Sequence, residues 1–268
     1  MPLAVCATPI GNLDDVTLRL LEELRIADVI LCEDTRHTRV LLDRHGIAGV
    51  KLLSYHEHNE AKRIAELLPR LEAGERLALV SDAGMPGISD PGARLVEAAL
   101  ERGVPVTVLP GASAVETALV ASGLVADRYQ FVGYLPRGEK ARAALWEELS
   151  RWPHAVVAFE SPRRLPASLA SLAAVLPERP LAVCRELTKR FEEVVRGTAA
   201  EVAARIAEPP KGEITLVLGA FEAELGDEPD ALAAVAELVG AGAGRRQAAD
   251  VVARLTGHPR NRLYRASL

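Results

Sequence analysis

The stretch Ser81-Asp82-Ala83-Gly84-Met85-Pro86-Gly87-Ile88-Ser89-Asp90-Pro91-Gly92 decides the fold of the first half of the chain. It follows the apolar run Leu77–Val80 and precedes the helical pattern Arg94–Leu100, which predicts a strand, a wide loop and a helix. Asp90 is expected to cap that helix and Pro91 to take its first position. Ordinary strand-to-helix connections take about two to six residues, so this longer loop of small residues favours ligand binding over a plain linker.

Similar strand–helix units repeat on both sides of this loop. Apolar strands are predicted at Leu3–Ala7, Asp28–Cys32, Lys51–Ser54, Arg76–Val80 and Val104–Leu109, each followed by a helical pattern. This alternation predicts a mainly parallel sheet with helices on both faces. Ligands of such sheets bind beyond the carboxyl ends of the strands. The polar and glycine-rich segments that follow the strands all belong to that edge: Thr8–Asn12, Glu33–Arg36, Tyr55–Asn59, Ser81–Gly92 and Pro110–Ala114.

The second half of the chain has less regular spacing. Strands are predicted at Tyr129–Gly133, Ala155–Phe159, Leu181–Glu186, Glu192–Arg196 and Glu213–Leu218, with helices at Glu139–Arg151, Leu165–Val175 and Thr198–Ala207. The segment Arg185–Phe191 resembles a hairpin connection, which requires an antiparallel pair and therefore a mixed sheet. We expect a linker at Gly226–Pro229. Beyond it, helices at Arg246–Leu255 and Arg260–Ala266 flank a tight turn, a helix-turn-helix pattern.

These patterns predict an α/β protein of three domains. They are an N-terminal βα domain at residues 1–115, a second α/β domain at 116–220 and a small helix-turn-helix-like domain at 226–268. The 268 residues are 49% hydrophobic and 26% charged, a composition typical of a soluble globular protein. No apolar run is long enough to cross a membrane, and no signal peptide is evident. Cys6, Cys32 and Cys184 lie far apart in apolar surroundings, which indicates core residues and a reducing cytoplasm.

Charge is unevenly distributed at the end of the chain. From Phe221 to Gly244 the only charged residues are acids, whereas from Arg245 to Leu268 six arginines stand against Asp250 alone. A basic terminal block of this kind favours a nucleic-acid partner, and its alternative explanation is a solvated helical face.

The binding loop lacks the common phosphate-binding fingerprints. Gly84 and Gly87 do not belong to a G-x-G-x-x-G motif, and the sequence contains no G-x-x-x-x-G-K-[ST] motif. The loop therefore indicates only a small polar ligand near backbone amides. Asp82 at the strand end suits a carboxylate that accepts ribose hydroxyls or faces a cation, or one that caps its own loop.

Six ordered motifs identify a family. They are Ala7–Leu13, Cys32–Arg36, Ser81–Gly92, Pro110–Ala114, Gly133–Arg137 and Phe159–Arg164. Together they resemble the tetrapyrrole methylase superfamily and, within it, the bacterial 16S rRNA (cytidine-2′-O)-methyltransferases of the RsmI type. The resemblance runs from Leu3 to about Gly219 and extends into the tail through Arg245–Ala249 and Leu263–Arg265.

This resemblance implies a two-domain fold, a parallel βα domain plus a mixed-sheet α/β domain, followed by a small C-terminal helical domain. It also implies S-adenosyl-L-methionine held between the two α/β domains, and a homodimer. The cofactor contacts that it implies are Pro9, Ile10, Asp82, Gly84, Met85, Ser113, Ala114, Phe159, Glu213 and Ile214. Met85 is a departure, because relatives commonly have threonine there, and it removes a hydroxyl near the expected ligand.

The catalytic base is not identified by the family pattern. A ribose 2′-hydroxyl is a poor nucleophile until a base begins to take its proton. Glu33, Asp34 and His56 are candidates at the functional edge, with Glu57 beside them, and each could equally orient substrate or serve the structure. His56-Glu57-His58 lacks a third ligand, so no metal is expected.

Basic residues in loops around the cleft and at the start of the tail are candidate RNA contacts. They are Arg36, Arg137, Arg163, Arg164, Arg185, Lys189, Arg190, Arg245 and Arg246. Surface charges that cover apolar neighbours are the alternative explanation.

The expected activity is therefore methylation of a cytidine 2′-hydroxyl in small-subunit (16S) rRNA, with naked RNA or the 30S subunit as substrate. Two alternatives stay open: methylation of a tetrapyrrole carbon, and non-catalytic RNA binding on the same fold.

Overall fold

The computed structural model describes residues 2–221 and 228–268, which form two compact units. The first takes in the chain up to Ser150 and His154–Phe221, and the second contains Arg151–Pro153 and the described chain after Phe221. Over these described ranges, no helix combines the length and the apolar character needed to span a bilayer.

The first sheet lies in the N-terminal part of the first unit. Its strands are β1 (Leu3–Cys6), β2 (Val29–Cys32), β3 (Lys51–Ser54), β4 (Leu77–Val80) and β5 (Val106–Leu109), in the order β3-β2-β4-β1-β5. All four pairings are parallel, as predicted. Every residue of β1, β2 and β4 is buried. These strands are apolar along their whole length because helices cover both faces of the sheet.

Helices cover both faces of this sheet, as predicted. They are α1 (Leu18–Ile26), α2 (Thr35–Arg44), α3 (Glu60–Glu72) and α4 (Ala93–Glu101). Leu24 of α1 and Leu42 of α2 pack with Cys6 on one face, whereas Leu67 of α3 and Leu95 of α4 pack with Val5 on the other. The alternation of side chains along a strand therefore divides the core into two layers.

The second sheet is mixed, which confirms the predicted fold class. Its elements are α5 (Ala114–Ser122), β6 (Tyr129–Tyr134), α6 (Glu139–Leu149), β7 (Ala155–Glu160), α7 (Leu165–Val175), β8 (Pro180–Arg185), β9 (Glu193–Thr198), α8 (Ala199–Arg205) and β10 (Ile214–Leu218). The order is β6-β7-β10-β8-β9, and only β6 and β7 are parallel. The predicted hairpin joins β8 to β9. Ala118 and Leu119 of α5 pack against Val157, Ala182 and Val217.

The prediction that Asp90 caps α4 and that Pro91 opens it was wrong. The helix begins at Ala93, after Gly92 in a conformation with φ of +137°. The Gly92 N–H donates to Oε1 of buried Glu60, 3.2 Å away, so a carboxylate from α3 serves the start of α4. Asp90 therefore stays in the loop.

The second unit is a helical cluster. It contains α9 (Glu228–Gly240), α10 (Arg245–Thr256) and α11 (Arg260–Ala266), which share a core of Ala231, Val235, Ala249, Val252 and Leu263. The two predicted helices are α10 and α11, whereas α9 was missed. Of the predicted linker, Gly226 and Asp227 lie outside the described residues, and Glu228 and Pro229 begin α9.

Candidate functional site

The loops after β1 and β4 are tied together by backbone hydrogen bonds. Thr8 and Gly84 exchange N–H to carbonyl bonds of 2.9 and 3.1 Å, an isolated antiparallel bridge. The Thr8 hydroxyl also donates to the Ser81 carbonyl oxygen at 3.0 Å. Gly84 has φ of +76°, and a Cβ there would lie 3.5 Å from Cγ2 of Ile10. The bridge therefore fixes two predicted binding segments, Thr8–Asn12 and Ser81–Gly92, against each other.

A cavity of about 660 Å³ opens beside this bridge, within the range of small-molecule sites. It is lined from both sheets and includes every predicted cofactor contact except Pro9: Ile10, Asp82, Gly84, Met85, Ser113, Ala114, Phe159, Glu213 and Ile214. Pro9 lines a smaller adjoining cavity of about 90 Å³, which shares Ile10, Asp82 and Glu213 with the larger one. The structure thus brings the predicted cofactor residues together.

The charged side chains that line the larger cavity are acidic: Asp82, Asp90, Glu116, Glu160 and Glu213. Among the described residues that line it there is no lysine or arginine. Two of the acids have basic partners, since Arg164 pairs with Glu160 at 2.5 Å and Lys189 with Glu213 at 2.8 Å. The remaining carboxylates favour a ligand that carries positive charge and disfavour a polyanion.

Aromatic rings form one wall of the cavity. The Phe159 ring packs edge to face with Phe131 and Tyr134, at centroid distances of 4.9 and 5.5 Å. Tyr134 is the most solvent-accessible of the three rings, with 59% of its surface exposed. The wall therefore offers an accessible aromatic face on which a planar group can stack.

Asp82 lies two residues beyond the end of β4, in the wall of the cavity. Its Oδ1 accepts the Asp34 backbone N–H at 3.1 Å, and its Oδ2 lies 3.8 Å from Nδ1 of His37. The carboxylate is thus oriented from the β2–α2 loop while it faces both cavities.

The predicted catalytic candidates do not line either cavity. Asp34 caps α2 through the Arg36 backbone N–H at 2.8 Å and pairs with the Arg36 guanidinium at 3.1 and 2.7 Å. These bonds hold the pKa of Asp34 far below its usual range, so its carboxylate is a weak proton acceptor.

Glu33 and His56 have different environments. Glu33 is an exposed residue whose carboxyl group is partly shielded from solvent. That shielding, followed by the negative charge of Asp82, raises its pKa. His56 Nε2 lies 3.1 Å from the Asn59 amide nitrogen, and its buried Nδ1 has no hydrogen-bond partner among the described residues. Glu57 is exposed in the turn before α3.

Asp90 is the titratable residue that the sequence analysis missed at this site. It lines the cavity, and burial, followed by the charges of Glu33 and Asp82, raises its pKa to about 6. Its place before a proline and a helical pattern favoured a capping role, and that interpretation passed over its place in the cavity wall.

The predicted RNA contacts fall into two groups. Three are engaged within the fold: Lys189 bridges Glu186 and Glu213, Arg185 pairs with Glu193, and Arg164 pairs with Glu160. Arg36 pairs with Asp34 but remains 89% exposed. Arg137, Arg163 and Arg190 are exposed and have no ion pair among the described residues. In the tail, Arg245 donates to the carbonyl oxygens of Ser267 and Leu268, while Arg246 is exposed.

Within residues 2–221 and 228–268, no group of three or more His, Cys, Asp or Glu side chains is arranged to hold a metal ion. All three cysteines are buried free thiols, as predicted.

The sequence is similar to those of known proteins. Residues 2–203 match the family of tetrapyrrole (corrin/porphyrin) methylases. A protein of Micromonospora olivasterospora named ribosomal RNA small subunit methyltransferase I is 46% identical over 98% of this chain and 85% of its own length. A protein of the same name from Mesorhizobium japonicum is 45% identical over 99% of this chain and 91% of its own length.

Solved structures share the fold at lower identity. A uroporphyrin-III C-methyltransferase of Thermus thermophilus, complexed with S-adenyl homocysteine, has a TM-score of 0.58 and 21% identity over 82% of this chain and 97% of its own. The cobalt precorrin-4 methyltransferase CbiF has a TM-score of 0.60 and 19% identity over 81% and 94%.

Proposed function

The chain belongs to the tetrapyrrole methylase family and, within it, to the ribosomal RNA small subunit methyltransferases I, and from this premise we propose its reaction. It transfers a methyl group from S-adenosyl-L-methionine to the ribose 2′-hydroxyl of a cytidine in small-subunit (16S) rRNA. The relatives' name supports the rRNA substrate, and the 2′-hydroxyl and the cytidine are the part that the family resemblance contributes.

The cavity of about 660 Å³ is the observation that carries this proposal. S-adenosylmethionine supplies an electrophilic methyl group on a positively charged sulfonium, and the acidic lining suits such a cation. Asp82 is expected to hold a polar group of the ligand at the end of β4. Gly84, whose φ is +76°, lets the ligand approach the loop backbone without a Cβ between them.

The same lining disfavours methylation of a tetrapyrrole carbon. Tetrapyrrole precursors carry several carboxylates, and no lysine or arginine among the described lining residues of the cavity would neutralise them. Exposed cations are instead found in segments that continue from the cavity wall. Arg163, for example, directly follows Pro162, which lines the cavity. An RNA substrate requires such an arrangement, because its phosphates can bind to cations that lie outside the acidic cavity.

The partner is 16S rRNA or the 30S subunit, and the buried free thiols fit a cytoplasmic protein. Residues 1–115 and 116–220 hold the cofactor, and the helical domain at 226–268 assists RNA binding. We also propose that the protein forms a homodimer. Its candidate contacts are the exposed apolar side chains Val108, Val120 and Val125. Sedimentation velocity tests this oligomeric state.

Transfer of labelled methyl groups tests the reaction. The protein is incubated with labelled S-adenosylmethionine and either naked 16S rRNA or 30S subunits from cells that lack it. We expect incorporation into one cytidine, identified by mass spectrometry as a 2′-O-methyl nucleoside and by local resistance to alkaline cleavage. Label on a base or on a tetrapyrrole polycarboxylate, or RNA binding without transfer, would contradict the proposal.

A further inference from the structure

The tip of the β4–α4 loop reaches across the cavity toward β6. Ser89 has φ of +63°, a left-handed conformation that is uncommon for a residue with a side chain. Its Oγ lies 4.0 Å from the position that a Cβ on Gly133 would occupy. Because strained backbone tends to persist where a fold requires it, this conformation suggests that the position of the next residue, Asp90, matters to function.

Asp90 lies at this tip, and its carboxyl group is half-buried in the cavity wall. The same cavity contains Asp82 and Met85, two expected cofactor contacts, as well as the accessible ring of Tyr134. A carboxylate in this place shares one space with the methyl donor and with a nucleotide that enters past the aromatic wall.

We propose that Asp90 is the catalytic base that accepts the proton of the ribose 2′-hydroxyl, an inference that rests on the proposed 2′-O-methyltransferase function.

Methyl transfer requires only one proton acceptor, and Asp90 supplies it. A carboxylate oxygen of Asp90 takes the hydroxyl proton while the ribose oxygen forms its bond to the transferred methyl carbon. The bond between that carbon and the sulfonium sulfur breaks, and its electron pair remains on sulfur. The products are the methyl ether, neutral S-adenosylhomocysteine and protonated Asp90, which then loses its proton to solvent.

The surroundings of Asp90 suit this task. Burial and the negative charges of Glu33, Asp82 and Glu213 raise its pKa to about 6, and a hydrogen bond with the Ser81 side chain opposes that shift. Tyr134 faces the same group from β6, and Asp90 contributes to the raised pKa of that phenol. A base works best when its pKa lies near the operating pH, because it is then largely ionised yet still able to hold a proton.

The other carboxylates of the site are less suitable. Asp34 is held by Arg36 and has a depressed pKa, Glu160 is paired with Arg164, and Glu213 is paired with Lys189. Asp82 is oriented by the Asp34 N–H and is an expected cofactor contact. Glu116 accepts hydrogen bonds from the Ser113 and Tyr129 hydroxyls, and the Ser113 bond above all lowers its pKa. Asp90 therefore lines the cavity with a raised pKa and without a lysine or arginine partner among the described residues.

The first test compares single-turnover methyl transfer by the full-length protein and its Asp90→Asn variant, with saturating S-adenosylmethionine and 30S subunits. The wild-type rate should rise tenfold per pH unit below the pKa of Asp90 in the complex and level off above it, and the sulfonium cation should keep that pKa at or below its value in the cofactor-free protein. The Asn variant should still bind both substrates at these saturating concentrations, react about 10²–10⁴-fold more slowly at pH 7.5 and lose the inflection. Glu101→Gln removes an exposed negative charge from the end of α4 and should retain the wild-type profile.

The second test does not depend on activity. Carbon-13 NMR of the side-chain carboxyl groups in the cofactor-free protein should show an aspartate that titrates near pH 6 and is missing from the Asn variant. A wild-type protein that methylates the 2′-hydroxyl together with an Asn variant of equal rate and equal pH profile would overturn the role of Asp90. Absence of any methyl transfer by the wild-type protein would instead overturn the proposed function.

Discussion

The cavity and the loops that continue from its walls carry opposite charge. Asp82, Asp90 and Glu116 line the cavity, whereas Arg137, Arg163 and Arg190 are exposed in segments that continue from its wall. One region therefore suits a cationic donor and the other suits phosphates. The difference teaches that the net charge of −5 is a poor guide to partners, because what matters is which charges are enclosed and which are free.

A side chain added at Gly84, in the wall of the acidic cavity, should have the largest effect. Gly84→Val places a β-branched side chain at φ of +76°, which strains the loop and disturbs the Thr8–Gly84 bridge. We expect affinity for S-adenosylmethionine, measured by calorimetry, to fall by about 100-fold or more. Gly103→Val is the matched control, since Gly103 has φ of +69° but open space around it. Equal affinity in the Gly84 and Gly103 variants would show that the bridge does not support the cofactor.

Neutralising the exposed arginines that have no ion pair among the described residues should weaken RNA binding and leave cofactor binding unchanged. In the triple variant Arg137→Gln, Arg163→Gln and Arg190→Gln, the slope of log affinity against log salt should become shallower by about 2, at roughly 0.7 for each single-strand phosphate contact. Affinity for S-adenosylmethionine should not change. Arg102→Gln is the control, because Arg102 is exposed but paired with Glu72. A slope equal to that of the control would place the RNA elsewhere.

The tail sharpens the distinction between free and engaged cations. Arg245 is bonded to terminal carbonyl oxygens and Arg260 pairs with Asp250 at 3.1 Å, whereas Arg246, Arg254 and Arg265 are exposed without an ion pair among the described residues. Changing those three to Gln should flatten the salt slope by about 1 to 2, depending on how many touch phosphate. Arg260→Gln should change it less. An unaltered slope in the triple variant would exclude the tail from RNA binding.

The smallest effect concerns stability. The folded-state pKa of Asp90, about 6, lies above its ordinary value of 3.8, so its negative charge opposes folding as the pH rises from 4 through 6. Asp90→Asn should therefore stabilise the protein at pH 8 by about 1–2 kcal/mol, discounted for partial solvent access, and change little at pH 4. Urea unfolding at both pH values measures this. A difference of equal size at both would attribute it to packing and not to charge.

Much of the scaffold could be predicted from sequence, because apolar runs and helical spacing report burial directly. The helix Glu60–Glu72 and the strand Lys51–Ser54 have the predicted bounds. The start of α4 could not be predicted in the same way, since it depends on the φ of Gly92 and on Glu60, which lies 32 residues earlier in the chain. Local residue preferences do not contain such a contact.

The site shows the same limit. Cofactor contacts were carried over from ordered motifs, and the fold gathers them, with Pro9 in the adjoining cavity. The state of each charged group depends on partners from other loops, as with Lys189 between Glu186 and Glu213. For that reason the sequence alone did not separate ion-paired arginines and lysines from unpaired ones, or distinguish Asp90, the proposed base, from the other acids.

The position of β1 has a consequence for how the protein is made. This strand pairs with β4 and β5, whose residues begin at Leu77 and Val106. During synthesis at about 5–20 residues per second, Leu3–Cys6 would wait roughly 4–15 s for its first neighbour. An apolar strand without hydrogen-bonded edges is prone to wrong pairing, and chaperones bind such segments. The Thr8–Gly84 bridge can close only after this interval, so the nascent chain acquires its proposed cofactor site late, although the first predicted binding loop leaves the ribosome early.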